Sequence, residues 1–153
     1  MMLSETDGRL LDALARFRLL TIPQALHLGI GKDRTHLGER LRTMKRHGLV
    51  GIAEQPRFLG PRVHWLREKG VELAAALAAE RGETLTLSAP KRGFVSGPHL
   101  RQRIAIVDCH IGLRAWAKTM GGALEWFRVE FEANPTGQLA KSLIYPWARP
   151  DGS

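Results

Sequence analysis

Cysteine is almost missing from this chain of 153 residues. Cys109 is the only one, which excludes an intramolecular disulfide and any cysteine-rich zinc site and fits a reducing compartment. Long apolar runs are missing too: nowhere do eighteen uncharged apolar residues follow one another, so no membrane-spanning helix and no membrane partner are expected. Residues 1–30 hold no basic segment followed by an apolar run and a small-residue cleavage site, and the chain therefore reads as cytoplasmic. Acidic side chains are scarce. Fifteen Asp and Glu stand against twenty-three Lys and Arg, leaving a formal charge of +8. Such an excess favours a polyanionic partner, because each phosphate neutralised by a cation releases condensed counterions.

Catalytic signatures are equally thin. The chain has no phosphate-cradling Gly-rich loop, no nucleophile elbow and no His-Glu-x-x-His, the short motifs whose spacing carries a mechanism. His99, Asp108, Cys109 and His110 gather along one stretch, but their spacing does not put two imidazoles on one helical face. No metal site and no cofactor are expected. Arg149, Pro150 and Asp151 resemble the Pro-Asp element of metal-dependent nucleases, in which carboxylates hold Mg²⁺ beside the scissile phosphate. The acidic-x-Lys strand that such an enzyme needs does not follow, since the sequence ends at Ser153. The chain is expected not to be an enzyme.

What is present is an ordinary globular composition, 44% hydrophobic and 25% charged, enough for one domain or two small ones. From Leu10 to Leu20, the residues Leu10, Leu11, Leu14 and Phe17 make a helical stripe, preceded by Thr6 and Asp7 as N-cap candidates. Thr21 can cap a short second helix with Pro23 in its first turn, running through Leu26 and Leu28 to Gly29 or Gly31. Asp33 and Gly48 bracket a third helix, in which Leu37, Leu41 and Met44 are spaced i, i+4, i+7. At about 100° per residue, Thr35, Glu39, Arg42 and Arg46 point away from that stripe, while Lys32, Arg34, His36, Arg40 and Lys45 lie on its flanks or leading turn. The exposed face is basic and rich in donors.

After Gly48 the pattern shortens to strands, Leu49 to Ala53 and Val63 to Leu66. Between them Pro56, Gly60 and Pro61 suggest a hairpin with a protruding tip, on which Arg57 and Arg62 place positive charge. A fourth helix is expected from Arg67 to Ala79. Three helices, a hairpin and a helix are the order of a winged helix-turn-helix, whose third helix enters the major groove while the wing follows the backbone. Between Lys32 and Arg67 nine basic residues face three acidic ones, so most of the excess charge falls where this fold meets DNA. The expected DNA contacts are Lys32, Arg34, Thr35, His36, Arg40, Arg42, Lys45, Arg46, Arg57 and Arg62.

The expected fold class is α+β, with a winged helix-turn-helix over residues 1–81, a linker over 82–97 rich in Gly, Thr, Ser and Pro, and a small helix-plus-strand unit over 98–153. In that unit Ser96 and Pro98 introduce a helix with Leu100, Ile104, Val107 and Ile111 spaced i, i+4, i+7, i+11, ending near Met120 before Gly121 and Gly122. Phe127, Val129 and Phe131 alternate with polar neighbours as a strand does, and Leu143 to Tyr145 suggest another. So small a unit buries little by itself. Its seam, Leu100, Ile104, Val107 and Ile111, is expected to pack on the winged domain, on a second copy of the chain, or on both, and packing on a second copy makes it the dimerisation surface.

Nearly end to end, the chain resembles the replication-relaxation family. The resemblance rests on LLDALARFRLLT (Leu10 to Thr21), LRTMKRHGLV (Leu41 to Val50), HLRQRIAIVDCHIGLR (His99 to Arg114), Trp126 and the closing RPDG. It implies a winged-helix protein of plasmids and other mobile elements, linked to replication, mobilisation or their control, with relaxase or replication proteins as partners. Residue roles carry over only to the recognition helix and wing. Members of the family run on past the Pro-Asp element, so the resemblance also implies either a truncated piece of a longer protein or a shortened member. The expected function is sequence-selective double-stranded DNA binding, as a replication or mobilisation accessory factor or a transcriptional regulator. The alternatives are an adaptor that docks on a protein through its winged helix, and a nuclease-like protein missing its last catalytic strand.

Overall fold

Ser4 sets where the first helix begins. Its side-chain oxygen accepts from the Asp7 amide (3.3 Å) and the Asp7 carboxylate accepts from the Ser4 amide (2.8 Å), a capping box that satisfies two donors at the helix start. Helix α1 accordingly spans Glu5–Phe17. Thr6 and Asp7, expected as caps, lie inside its first turn, because the reciprocal spacing runs from Ser4 to Asp7. The structure is a computed structural model that describes residues 2–53, 60–90 and 98–124.

Leu20–Thr21 forms strand β1 and Ile22–His27 helix α2. A second capping box starts α2: the Thr21 amide donates to Gln24 Oε1 (2.9 Å) and the Gln24 amide to Thr21 Oγ1 (3.3 Å), with proline in the first turn as expected. Helix α3 spans Arg34–Arg46, strand β2 Val50–Ala53, strand β3 Val63–Leu66, helix α4 Glu68–Glu80 and helix α5 Pro98–Thr119. The chain is mixed α and β, with a small three-stranded antiparallel sheet in the order β1-β3-β2. Val50 faces Leu66 and Ala53 faces Val63 across the hairpin, while Leu20 faces His64 on the other side of β3. Residues 56–59 of the expected hairpin tip, Arg57 included, lie outside the described residues.

The core explains the element order. Leu10, Leu11, Leu14 and Phe17 of α1 meet Leu37, Leu41 and Met44 of α3 and the inward residues of the sheet. Helix α4 lies against α1 and β3 with Gly70, Ala74 and Ala78 as its buried residues, one small side chain per turn. At Gly70 the approach is closest: a Cβ there would run into the Leu49 carbonyl oxygen, so the start of β2 and the first turn of α4 tolerate nothing larger.

Helix α5 packs on the core of the expected winged domain, the first of the alternatives for its seam. Leu100, Val107 and Ile111 are only 2, 3 and 5% exposed and belong to the same core as α1, α3 and the sheet. Ile104 packs against it partly buried. The seam is covered within the chain, and it is not an open surface on which a second copy could dock. Leu85 and Leu87, inside the stretch expected as a linker, also pack on this core; apolar side chains hold that irregular segment down. Residues 91–97 of the linker, the strands expected around Phe127 to Phe131 and Leu143 to Tyr145, Trp126 and the Arg149 to Asp151 element all lie outside the described residues. Among the described residues no helix is long and apolar enough to cross a membrane.

Candidate nucleic-acid interface

The local sequence builds α3 from its caps. Asp33 takes an extended backbone and its side chain accepts from the His36 amide at 2.8 Å, satisfying an orphan donor of the first turn. Gly31, at φ +76, lets the chain turn tightly over Leu37, where any Cβ would strike the leucine side chain. At the other end Gly48, at φ +75, reverses the chain into β2, as a left-handed position after a helix requires. Leu37, Leu41 and Met44 point to the core and are buried.

That arrangement turns the opposite face of α3 outward. Arg42, Lys45 and Arg46 are exposed and, with Glu39 and Thr43, line a shallow depression of about 740 Å³. Arg46 Nη2 donates to Thr43 Oγ1 at 3.1 Å, which steadies the guanidinium without neutralising it. Arg42 and Lys45 make no ion pair among the described residues. Lys32, Arg34 and Thr35 are exposed at the leading turn, and Arg62 is exposed beside the start of β3. Guanidinium groups held this way can grip a phosphate, or two acceptors of one guanine, in a bidentate fashion.

One expected contact is placed elsewhere, and a second is partly enclosed. Arg40 turns inward: its Nε donates to Asp7 Oδ1 at 2.9 Å and its Nη2 pairs with Asp7 Oδ2. Burial would raise the Asp7 carboxyl, but the Arg40 and Ser4 hydrogen bonds outweigh it and hold that carboxyl below the usual carboxylate range. Arg40 therefore ties α3 to the start of α1 and does not belong to the open face. His36 is half-buried, and its Nδ1 is enclosed with no partner among the described residues. Sequence reasoning missed Asp7 as the anchor of Arg40. The Ser4 to Asp7 spacing was readable, but the pairing joins residues thirty-three apart.

The residues weighed as a metal cluster are dispersed. Asp108 Oδ1 accepts from Gln24 Nε2 at 2.8 Å, His110 lies edge-on to Phe17 with ring centres 4.8 Å apart, and His99 and Cys109 are exposed. Among the described residues no three His, Cys, Asp or Glu side chains are grouped to hold a metal ion. Comparison with known proteins adds no relative: no protein-family model, no curated protein and no solved structure matches the chain.

Proposed function

We propose that the chain is a double-stranded DNA-binding protein of winged helix-turn-helix type that lays the Arg42, Lys45, Arg46 face of α3 in the major groove. The observation that carries this reading is a helix whose buried Leu37, Leu41 and Met44 stripe is backed by cations without carboxylate partners among the described residues. The order α1, β1, α2, α3, β2, β3, α4, with β3 central in the sheet, supports it, because α2 packs on α3 as the first helix of a helix-turn-helix packs on its recognition helix. Arg62 extends the basic surface towards the hairpin. Together with the family resemblance, these features favour an accessory or regulatory role at the DNA of a mobile element.

The reading is tested by titrating duplex DNA from the host element's intergenic regions at several salt concentrations. Affinity should fall linearly in log against log, with a slope of about 0.9 for each phosphate neutralised. Five or six exposed cations on this surface set the expected steepness. A chain with no affinity for duplex at low salt, but a salt-tolerant protein partner, would favour the docking alternative.

A further inference from the structure

Outside the residues of the α3 face, basic side chains from three elements converge on one cleft. Arg16 from the last turn of α1, His27 from the end of α2, and Arg114 and Lys118 from α5 line a cavity of about 620 Å³ floored by Leu28 and Ile111. That volume falls within the range of small-ligand sites. None of its described lining residues is acidic. Helix ends attract cations through their partial negative charge, yet the side chains of Arg16, Arg114 and Lys118 make no hydrogen bond or ion pair among the described residues. They are therefore not consumed in capping carbonyls. The crowding carries an electrostatic cost: burial and the nearby Arg16 both depress Arg114, and burial, Arg114 and Arg16 together push His110 down to about 4.

We infer that this cleft is an anion site for a phosphoryl group, held by Arg16, Arg114 and Lys118. Like charges gathered in a half-enclosed space are relieved by a counter-charge, and a phosphoryl group offers up to two negative charges and three acceptor oxygens. Two guanidiniums and an ammonium match that donor demand better than they match a single carboxylate. The phosphoryl group comes either from a free phosphorylated molecule or from the backbone of DNA, whose phosphodiester offers one negative charge and two free oxygens. The site stands on residues separate from the α3 face and does not depend on it.

The test uses the full chain and two probes, inorganic pyrophosphate by calorimetry at low salt and duplex DNA by fluorescence anisotropy. Arg114→Gln and Lys118→Gln are compared with wild type and with Arg42→Gln. Lys118 is exposed, so its variant should fold even if the Arg114 variant does not, and circular dichroism checks both. A free phosphorylated ligand is indicated by one-to-one pyrophosphate binding that both cleft variants weaken about tenfold or more while Arg42→Gln leaves it intact. A DNA source is indicated when pyrophosphate does not bind but each folded cleft variant flattens the salt plot by about 0.9. Pyrophosphate binding that survives both cleft substitutions, or folded variants that alter neither readout, overturns the site. Arg42→Gln, which tests the α3 face, can fail or succeed separately.

Discussion

Two arginines two positions apart on α3 have opposite duties. Arg40 closes on the fully buried Asp7, whereas Arg42 is exposed. Removing one partner of an enclosed pair leaves the other uncompensated, although the side chain of Arg40 keeps 26% of its surface in solvent and part of the effect is screened. Arg40→Ala should therefore cost about 2 kcal/mol of stability in chemical denaturation, and Arg42→Ala should cost none that is measurable. Because the Asp7 carboxyl titrates lower folded than unfolded, its contribution is present above the ordinary carboxylate range and is lost as pH falls through its depressed folded value.

His64 sets a second pH response at the same scale. It is 3% exposed in the central strand, and its Nδ1 faces the Leu20 carbonyl oxygen at 3.2 Å. Burial pushes it down to about 4; the Leu20 hydrogen bond opposes that shift and the Arg62 charge adds to it. The unfolded chain takes up this proton near pH 6.5 and the folded one only near 4, so stability is complete above the first value and lost towards the second. His64 alone should remove about 2 kcal/mol between pH 7 and pH 5. His110, depressed in the same direction but partly exposed, adds less. Thermal melts of wild type and His64→Gln across this range decide it: the variant's curve should be flatter, and parallel curves would mean that His64 does not titrate there.

At the scale of elements, Gln24 joins two of them with one side chain. Its Oε1 caps the start of α2, and its Nε2 donates to the Ile104 carbonyl oxygen (3.1 Å) and to Asp108 (2.8 Å) on α5. Gln24→Ala removes a cap and leaves acceptors on α5 without this donor, for about 2 kcal/mol in all. Hydrogen exchange should show α5 opening more than α1. Uniform loss across the chain would mean that Gln24 does not hold α5 in particular.

Much of this was legible in sequence because the signals are local. Thr21, Asp33 and Gly48 mark helix ends through their own backbone chemistry, and the spacing of Leu37, Leu41 and Met44 fixes the inward face of α3. The Ser4 cap was missed in favour of Thr6 and Asp7, although the Ser4 to Asp7 spacing was there to read. Helical spacing sets Arg40 on the flank and Arg42 on the outward face, but not that Arg40 is consumed, because its partner sits on another helix. The α5 seam shows the same boundary: periodicity reveals that Leu100, Ile104, Val107 and Ile111 share a face, but not what covers it.

For the whole molecule, that covering changes what a charged residue in the seam would do. Ile104→Glu, the substitution that would split a dimer joined by this seam, should instead loosen α5 from its own core, lowering the melting temperature while the folded variant sediments as the wild type does. Past the seam, the large apolar side chains left exposed are Leu113 and Trp116 of α5 and Met120 just after it, at 39, 62 and 71%. The basic surfaces lie apart in sequence. Arg42, Lys45 and Arg46 belong to α3, whereas Arg16 comes from α1 and Arg114 and Lys118 from α5.

The central claim, that the outward face of α3 grips DNA, is tested most directly by fluorescence anisotropy of a labelled duplex with wild type and with the Arg34→Ala, Arg42→Ala double variant. Both residues are exposed and away from the core, so the fold should persist, as an unchanged melting temperature would confirm. Each arginine that reaches a base edge or a well-placed phosphate should contribute about 1 to 3 kcal/mol to binding, and the double variant should bind at least an order of magnitude more weakly. Equal affinity of the two folded proteins for the same duplex, at the same salt, would contradict the account.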